Sequence, residues 1–218
     1  MKQPVIFEKI AKRYVAAAQA RREVIAKSND ALHLSKRAIF AFHRVDLANG
    51  KALLAQVSEI LSSCEELTNK FLDEDQEGAF HAALEEYAEA QLFGGYLESG
   101  MLEVKNEDRG IAFSWSGLIA GLGEKATPRS SETNICECSP AVFLGGLCDA
   151  TGEIARHALR EATKGNRDAV EQAYATVEMV IEFLYTMDLT GYLRTKFDQA
   201  KKNLRQLEQM RYELSLRK

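Results

Sequence analysis

The sequence predicts an all-α fold, a seven-helix antiparallel bundle forming a single domain over residues 1–218. Apolar residues recur every three or four positions along most of the chain, which is the spacing of one helical face. Only 3 prolines and 14 glycines occur in 218 residues, and this disfavours a sandwich of short strands. Hydrophobic residues make up 46% of the chain, which is enough for a substantial core. Long helices with one apolar face each are typical of a bundle.

Four helices are predicted in the first half of the chain. The first is expected at about 7–27, the second between Asp30 and Asn49, and the next two at about 51–71 and 76–97. Ser28-Asn29-Asp30 offers a cap or a bend between the first two, and Asn49-Gly50 is a stop signal before the third. Asp73-Glu74-Asp75 is a polar break before the fourth. Cys64 lies in the apolar stripe of the third helix, where packing explains it.

Three more helices are predicted after a long irregular excursion, residues 100–139, which holds Pro128 and Trp115. A loop of this length is usually functional or mobile. Ser139-Pro140 supplies an N-cap and a first-turn proline for the fifth helix, which ends near Gly165. The last two helices are expected at about 167–187 and 191–216.

The bulk properties indicate a soluble protein, and we expect it to be cytoplasmic. No stretch approaches the ~18–20 apolar residues of a membrane span. The first residues show no apolar signal core. The four cysteines do not make a disulfide framework in a chain of 218 residues.

The net charge of −4 hides an uneven distribution. Residues 1–44 hold ten Lys/Arg and three acids, and residues 192–218 hold eight and three. The middle, residues 45–191, holds ten basic and twenty-six acidic residues. Basic ends around an acidic middle are compatible with a polyanion binder, although long solvent-facing helices are often simply charged.

The fifth helix carries the stretch that looks most like a site. Asp149 and Glu153 are four residues apart, so their side chains share one helical face with Gly145 and Gly152. Glycine inside a helix costs roughly 0.5–1 kcal/mol relative to alanine. A helix that accepts this cost is expected to bring its backbone close to another element.

The best partner for this stretch is on the fourth helix. Glu86 and Glu89 are three residues apart, but Glu85 and Glu89 are four apart, so spacing alone does not choose between Glu85 and Glu86. If the two helices pack, Glu86, Glu89, Asp149 and Glu153 form a four-carboxylate cluster. Such a cluster needs a cation, and an all-oxygen site suits Mg²⁺ or Mn²⁺.

Alternatives to this metal site follow from the same residues. A glutamate pair such as Glu86 and Glu89 more often lies on a solvated surface, and Arg156 is a possible structural partner for Glu153. A di-iron bundle needs Glu-x-x-His pairs, which the four histidines do not make. Zinc is disfavoured because Cys136-x-Cys138 with Cys148 has no second CxxC or histidine pair.

Four segments of the chain resemble the translin family, and they occur in the family's order. SKRAIFAFHR at 35–44 resembles its SKRxIFxxHR segment, and EYAEA at 86–90 resembles the EYxEA segment of its translin-associated factor X branch. LGGLCDATGEIAR at 144–156 resembles its LLGxxDLTGExxR helix, and residues 193–217 are similar to its final helix. Ala150 stands where the family usually has leucine, and residues 100–139 match none of these segments.

The resemblance implies a seven-helix fold and a hollow homo-oligomer, typically an octamer, that encloses nucleic acid. The factor X branch is a metal-dependent endoribonuclease, and its acidic positions fall here on Glu86, Glu89 and Asp149, with Glu153 beside them. The match favours Glu86 over Glu85. A single chain of this type also suggests an archaeal or prokaryotic homologue.

The first functional hypothesis is therefore a Mg²⁺- or Mn²⁺-dependent endoribonuclease acting on single-stranded RNA, with DNA also possible. Glu86, Glu89 and Asp149 hold the metal, and Glu153 is a fourth ligand or a base. The candidate phosphate-binding residues are Lys36, Arg37 and Arg44, followed by Arg13, Arg21 and Arg22. The second hypothesis is a single-stranded RNA- or DNA-binding protein without catalysis. The third is an all-α nucleotide pyrophosphohydrolase, which also places acidic pairs on two helices around Mg²⁺.

Overall fold

A computed structural model describes residues 4–71, 78–100, 102 and 139–216 of the chain. These residues form six α-helices and no strand, which confirms the all-α prediction. The helices are α1 (Val5–His43), α2 (Leu47–Phe71), α3 (Gly78–Ser99), α4 (Pro140–Thr163), α5 (Arg167–Tyr185) and α6 (Gly191–Leu216). Among these helices, none is long and apolar enough to cross a bilayer. Nearly all of the predicted excursion at 100–139 lies outside the described residues, as does Asp73-Glu74-Asp75.

The predicted break at Ser28-Asn29-Asp30 is wrong, because α1 continues through it. This helix has 39 residues, which makes it about 58 Å long. Ser28 is fully buried, and its hydroxyl lies 4.0 Å from the sulfur of Cys64 on α2. Packing against α2 overrides the local preference of serine, asparagine and aspartate for a helix cap. The two N-terminal helices of the prediction are therefore one, and the described part of the chain has six helices instead of seven.

The predicted stop signal at Asn49-Gly50 is also wrong, since both residues belong to the first turn of α2. The break lies earlier, where α1 ends at His43. The Asp46 carboxylate accepts a hydrogen bond from the backbone N–H of Asn49 at 3.3 Å and so caps α2. A Cβ on Gly50 would lie 2.2 Å from the ring of Phe42. Glycine is present because α2 starts directly against α1, not because a helix ends.

The two caps predicted in the second half are confirmed. The Ser139 hydroxyl accepts a hydrogen bond from the backbone N–H of Val142 at 3.4 Å, with Pro140 in the first turn of α4. The Asn166 side chain accepts one from Ala169 at 3.2 Å and caps α5. Both caps are hydrogen bonds between residues three positions apart, so they could be predicted from the sequence without knowledge of the tertiary contacts.

The described helices form two groups of three. In the first group α1, α2 and α3 contact one another, and in the second α4, α5 and α6 do so. The two groups join mainly where α3 packs against α4, a contact that we call the α3–α4 seam. Tyr87 and Phe93 of α3 and Leu147 and Ile154 of α4 are among the largest fully buried side chains. Residues of α3 and α4 thus make up a large part of the buried core.

Candidate functional site

Glycines on α4 let its backbone lie against α3. A Cβ on Gly146 would lie 2.7 Å from the carbonyl oxygen of Glu85 and 2.7 Å from the Cβ of Ala88. A Cβ on Gly145 would lie 2.4 Å from the Glu85 carboxylate. A Cβ on Gly152, by contrast, would only touch Asn203 of α6 at an ordinary 3.4 Å. The close approach that the sequence predicts is therefore real, but Gly146 makes it, because only Gly146 faces backbone atoms of α3; Gly145 faces the movable Glu85 carboxylate, and Gly152 faces α6.

The close approach brings the four predicted carboxylates within electrostatic range of one another across the seam. Burial, together with the charges of Glu86, Asp149 and Glu153, raises the pKa of Glu89 to about 9. Burial also raises the pKa of Glu86, with Asp149 and Glu153 adding to the rise and Lys36 opposing it. Each acid is thus within electrostatic reach of others on the facing helix. We call Glu86, Glu89, Asp149 and Glu153 the acid cluster.

Lys196 of α6 is the main cation beside the acid cluster. Its Nζ contacts the Asp149 carboxylate and lies 2.7 Å from the Glu85 carboxylate. The hydroxyl of Tyr192 donates a hydrogen bond to Glu85 at 2.6 Å. Burial raises the pKa of Asp149, and Lys196 only partly offsets this effect. Glu85 is therefore part of the site as well, through a lysine that it shares with Asp149.

Glu153 is held from α1 and from its own helix. The buried ring of His43 contacts the Glu153 carboxylate through Nε2, and Arg156 lies 3.6 Å away. Burial alone would raise the pKa of Glu153, but His43 and Arg156 outweigh burial and lower it. The pairing with Arg156 was predicted and is confirmed. Nδ1 of His43 is buried without a hydrogen-bond partner, and Phe93 packs on the ring with 4.7 Å between centroids.

The donor set of the acid cluster suits a hard divalent cation. Carboxylates that raise one another's pKa are stabilised when a cation enters, and oxygen ligands are those preferred by Mg²⁺ and Mn²⁺. Within the described ranges, no three His, Cys, Asp or Glu side chains are arranged to hold a metal ion as they stand. Instead, basic side chains of the protein pair with several of these carboxylates, and Nζ of Lys36 lies 3.8 Å from the Glu86 carboxylate.

Cys148 is next to Asp149 in sequence but belongs to the core. Its side chain is buried, and burial raises the pKa of its thiol to about 12. A thiol that holds its proton is a poor zinc ligand, because the thiolate is the form that binds. Cys136 and Cys138, the other residues of the zinc alternative, lie outside the described residues.

Lys36, Arg37 and Arg44 line one cleft between α1 and the start of α2. The cleft has a volume of about 620 Å³. Its other lining residues are His33, Phe40, Asn49 and Leu53. Because Lys36 also lies 3.8 Å from Glu86, this basic cleft borders the acid cluster. Arg13, Arg21 and Arg22 are exposed on the N-terminal half of α1, and Arg22 is about 33 Å along the helix from Arg44. Within one chain, these three arginines do not reach the basic cleft.

Comparison with known proteins shows which family has this architecture. The Translin family model matches residues 19–218, which is nearly the whole chain. The chain belongs to the translin family. It is 25% identical over 212 residues to Translin-associated protein X of Rattus norvegicus, and the match covers 89% of this chain and 72% of the relative.

Solved structures with the translin-type fold are also similar. Apo-NeC3PO superposes with a TM-score of 0.77 at 19% identity, covering 98% of this chain and 100% of that one. AfC3PO in complex with duplex RNA gives a TM-score of 0.70 at 20% identity, covering 96% of each chain. At this level of identity, the likeness confirms the fold of the translin-family chain.

Three residues of the site escaped sequence reasoning. Lys196 and Tyr192 lie on α6, beside the apolar stripe positions Leu193 and Phe197, and a lysine next to such a position is the only signal that sequence offered. His43 lies in a segment that resembles the translin family, but no chemical partner was assigned to it. These contacts join helices that are distant in sequence, and periodicity along a single helix does not reveal them.

Proposed function

We propose that this translin-family chain is a divalent-metal-dependent endoribonuclease that acts on single-stranded RNA within a homo-oligomer. One observation carries the proposal: the acid cluster adjoins the basic cleft, with the Lys36 ammonium 3.8 Å from Glu86. A nuclease needs both parts, a group of carboxylates for the chemistry and cations that hold the phosphate backbone beside it. The similar AfC3PO structure contains duplex RNA, which supports RNA as the polyanion.

In this proposal Glu86, Glu89 and Asp149 hold Mg²⁺ or Mn²⁺, and Glu153 is a fourth oxygen ligand or accepts a proton from water. The lowered pKa of Glu153 suits the role of ligand better than that of base, because the side chain is ionised and held by His43 at neutral pH and a base of low pKa accepts a proton less readily. When bound, the ion supplies an activated water and neutralises the charge that builds up on the phosphate. Lys196 orients Asp149 from the other side.

The basic cleft binds the RNA backbone in this proposal. Lys36, Arg37 and Arg44 contact phosphates, and such contacts position a strand without reading its sequence. In a homo-oligomer, which by resemblance is an octamer, the exposed Arg13, Arg21 and Arg22 are further candidates for phosphate contacts.

Cleavage of labelled single-stranded RNA tests this proposal. Wild type, Asp149→Asn and a control, Glu59→Gln, are incubated with Mg²⁺, Mn²⁺ or EDTA. Glu59 is an exposed carboxylate on α2, away from the acid cluster. We expect metal-dependent cleavage by wild type and by the control, and a loss of at least about 100-fold in Asp149→Asn, the scale of losing one group that stabilises a transition state. Binding without cleavage in every condition would reject the nuclease.

A second candidate is an RNA-binding protein without catalysis. The ion pairs favour it, because Lys196 already neutralises Asp149 and His43 already holds Glu153. The two candidates differ in their response to metal, since a binding protein gives salt-dependent RNA affinity and no product with Mg²⁺ or Mn²⁺. Release of pyrophosphate from free nucleotides in the same assay would instead support a pyrophosphohydrolase.

A further inference from the structure

The basic cleft contains one exposed phenyl ring, that of Phe40. This side chain is 56% exposed, whereas the neighbouring apolar residues Ile39 and Phe42 are buried. Ile39 and Phe42 pack into the core, so the core accounts for them and not for Phe40. An exposed phenyl ring in a cleft lined by cations leaves an apolar surface facing water, which favours a ligand with an apolar face.

The chemistry around this ring suits a nucleotide. The guanidinium carbon of Arg44 lies 5.1 Å from the centre of the Phe40 ring, within the range of a cation–π contact. Of the seven described residues that line the cleft, three are Lys or Arg and none is acidic. A planar apolar group flanked by cations matches a base flanked by phosphates.

The position of Phe40 relative to the acid cluster indicates which part of a bound RNA chain would lie beside its ring. Lys36 and Phe40 are four residues apart on α1, which is about 6 Å along the helix and on the same face. Lys36 is at the end of the cleft that touches Glu86. A phosphate held by Lys36 therefore lies near the acid cluster, and the base beside that phosphate is within reach of Phe40.

We propose that Phe40 is a stacking platform for one unpaired base of the bound RNA, so that the basic cleft selects single strands over duplexes. A base in a duplex is stacked on both faces by its neighbours and cannot lie on a protein ring, whereas a base of a single strand can. This inference rests on the proposed RNA binding and adds a residue that determines strand preference. Phe40 takes no part in the metal chemistry.

Binding measurements in EDTA test the platform without cleavage. Fluorescence anisotropy compares wild type, Phe40→Ala, Phe40→Trp and the control Tyr212→Ala, which removes an exposed aromatic ring from α6. The probes are a single-stranded RNA, the same strand in a duplex, and a strand of equal length without bases. Phe40→Ala is expected to lose about 5- to 100-fold in affinity for the single strand, as when one stacked base is lost. Affinity for the duplex and for the baseless strand changes less than about twofold on the same reasoning.

Two further readouts separate stacking from charge. The slope of log affinity against log salt is unchanged in Phe40→Ala but is smaller in Arg37→Ala, because only the arginine displaces counterions. Phe40→Trp keeps the affinity, and its fluorescence is quenched by the single strand. Trp115, the one tryptophan of wild type, gives the background signal.

Failure of the platform and failure of the proposed function look different. If wild type binds none of the three probes, RNA binding itself is rejected, and the platform with it. If wild type binds the single strand and Phe40→Ala binds it equally well, the platform is overturned and the RNA-binding proposal stands. A change in oligomer mass in Phe40→Ala, measured by light scattering, would also overturn it, because Phe40 would then be a subunit contact.

Discussion

At the scale of single residues, Lys196 is the cation that compensates two half-buried carboxylates, Glu85 and Asp149. Replacing it with methionine leaves both acids facing each other without a cation, and only Glu85 keeps a partner, the Tyr192 hydroxyl. We expect Lys196→Met to lower the free energy of unfolding by about 1–2 kcal/mol in EDTA, below the value for a fully buried pair because the lysine is 20% exposed. Urea denaturation measures this change, with the exposed Lys202→Met on the same helix as control.

Added Mg²⁺ should stabilise Lys196→Met more than it stabilises wild type. In wild type a cation entering the acid cluster competes with the lysine for Asp149, whereas in the variant it has no competitor. An equal response of the two proteins to Mg²⁺ would show that Lys196 and the metal do not share Asp149.

Glu89 gives the metal-free protein an unusual dependence on pH. The pKa of its carboxyl is raised from 4.5 to about 9 in the fold. Below pH 4.5 the group is protonated whether the chain is folded or not. Between those two values the unfolded chain releases the proton and the folded chain keeps it, so stability falls as pH rises through this window. Integrated to pH 7, the loss is at most about 3 kcal/mol.

The variant Glu89→Gln removes this titration. In EDTA at pH 7 we expect its melting temperature to exceed that of wild type by several degrees, and the difference to vanish near pH 4. Glu59→Gln, which replaces an exposed carboxylate, should match wild type at both pH values. A lower melting temperature for Glu89→Gln at pH 7 would mean that the ionised carboxylate stabilises the fold.

At the scale of the helices, Gly146 sets the distance between α3 and α4. Gly146→Ala places a methyl group 2.7 Å from backbone and side-chain atoms of α3, so the two helices must separate. Overpacking of this kind costs about 1–3 kcal/mol, and it moves Glu86 and Glu89 away from Asp149. We expect both a lower melting temperature and weaker RNA cleavage.

Gly152→Ala is the matched control on the same helix. Its methyl group meets Asn203 at 3.4 Å, and alanine favours a helix over glycine by roughly 0.5–1 kcal/mol, so stability should hold or rise. Cleavage should also be retained. Equal losses in the two variants would place the close contact elsewhere than at Gly146.

These two glycines also show how far the sequence predicts the structure. The cost of glycine in a helix correctly indicated a close approach near Asp149, but only the packing shows which glycine makes it. Likewise, capping at Ser139 and Asn166 is local and was predicted, whereas Ser28 is held in α1 by α2 and was not. The prediction that the two acidic helices, α3 and α4, pack together rested on the spacing of their acids combined with the family resemblance. Lys196 and His43 contact the acids of α4 from other helices, and a pattern within one helix does not reveal such contacts.

At the scale of the whole molecule, the site joins the two groups of three helices. Side chains from α1, α3, α4 and α6 meet there, through Lys36, His43, the acid cluster and Lys196. Loss of charge compensation at one point therefore affects the contact between the groups, not only the chemistry. This is why Gly146→Ala, which separates α3 from α4, is expected to lower stability and activity together.

The first turns of α1 project from this body with an apolar stripe that nothing in the described chain covers. Residues 4–15 are all exposed, including Phe7, Ile10 and Tyr14, which the helical spacing aligns on one face. The segment is basic as well as apolar, while the middle of the chain is strongly acidic. In the proposed homo-oligomer, the acidic middle of a second copy of this chain would be the partner surface of complementary charge for the stripe.

The variant Ile10→Asp tests this contact, because an aspartate at the centre of a subunit interface has to be buried without a partner. Light scattering should show a lower particle mass for Ile10→Asp than for wild type. Met179→Asp, which makes the same change at an exposed apolar position on α5, should keep the wild-type mass. Both proteins should stay helical, since neither side chain packs in the core of one chain. An unchanged mass for Ile10→Asp would exclude the stripe from the assembly, because unpaired buried charge costs several kcal/mol.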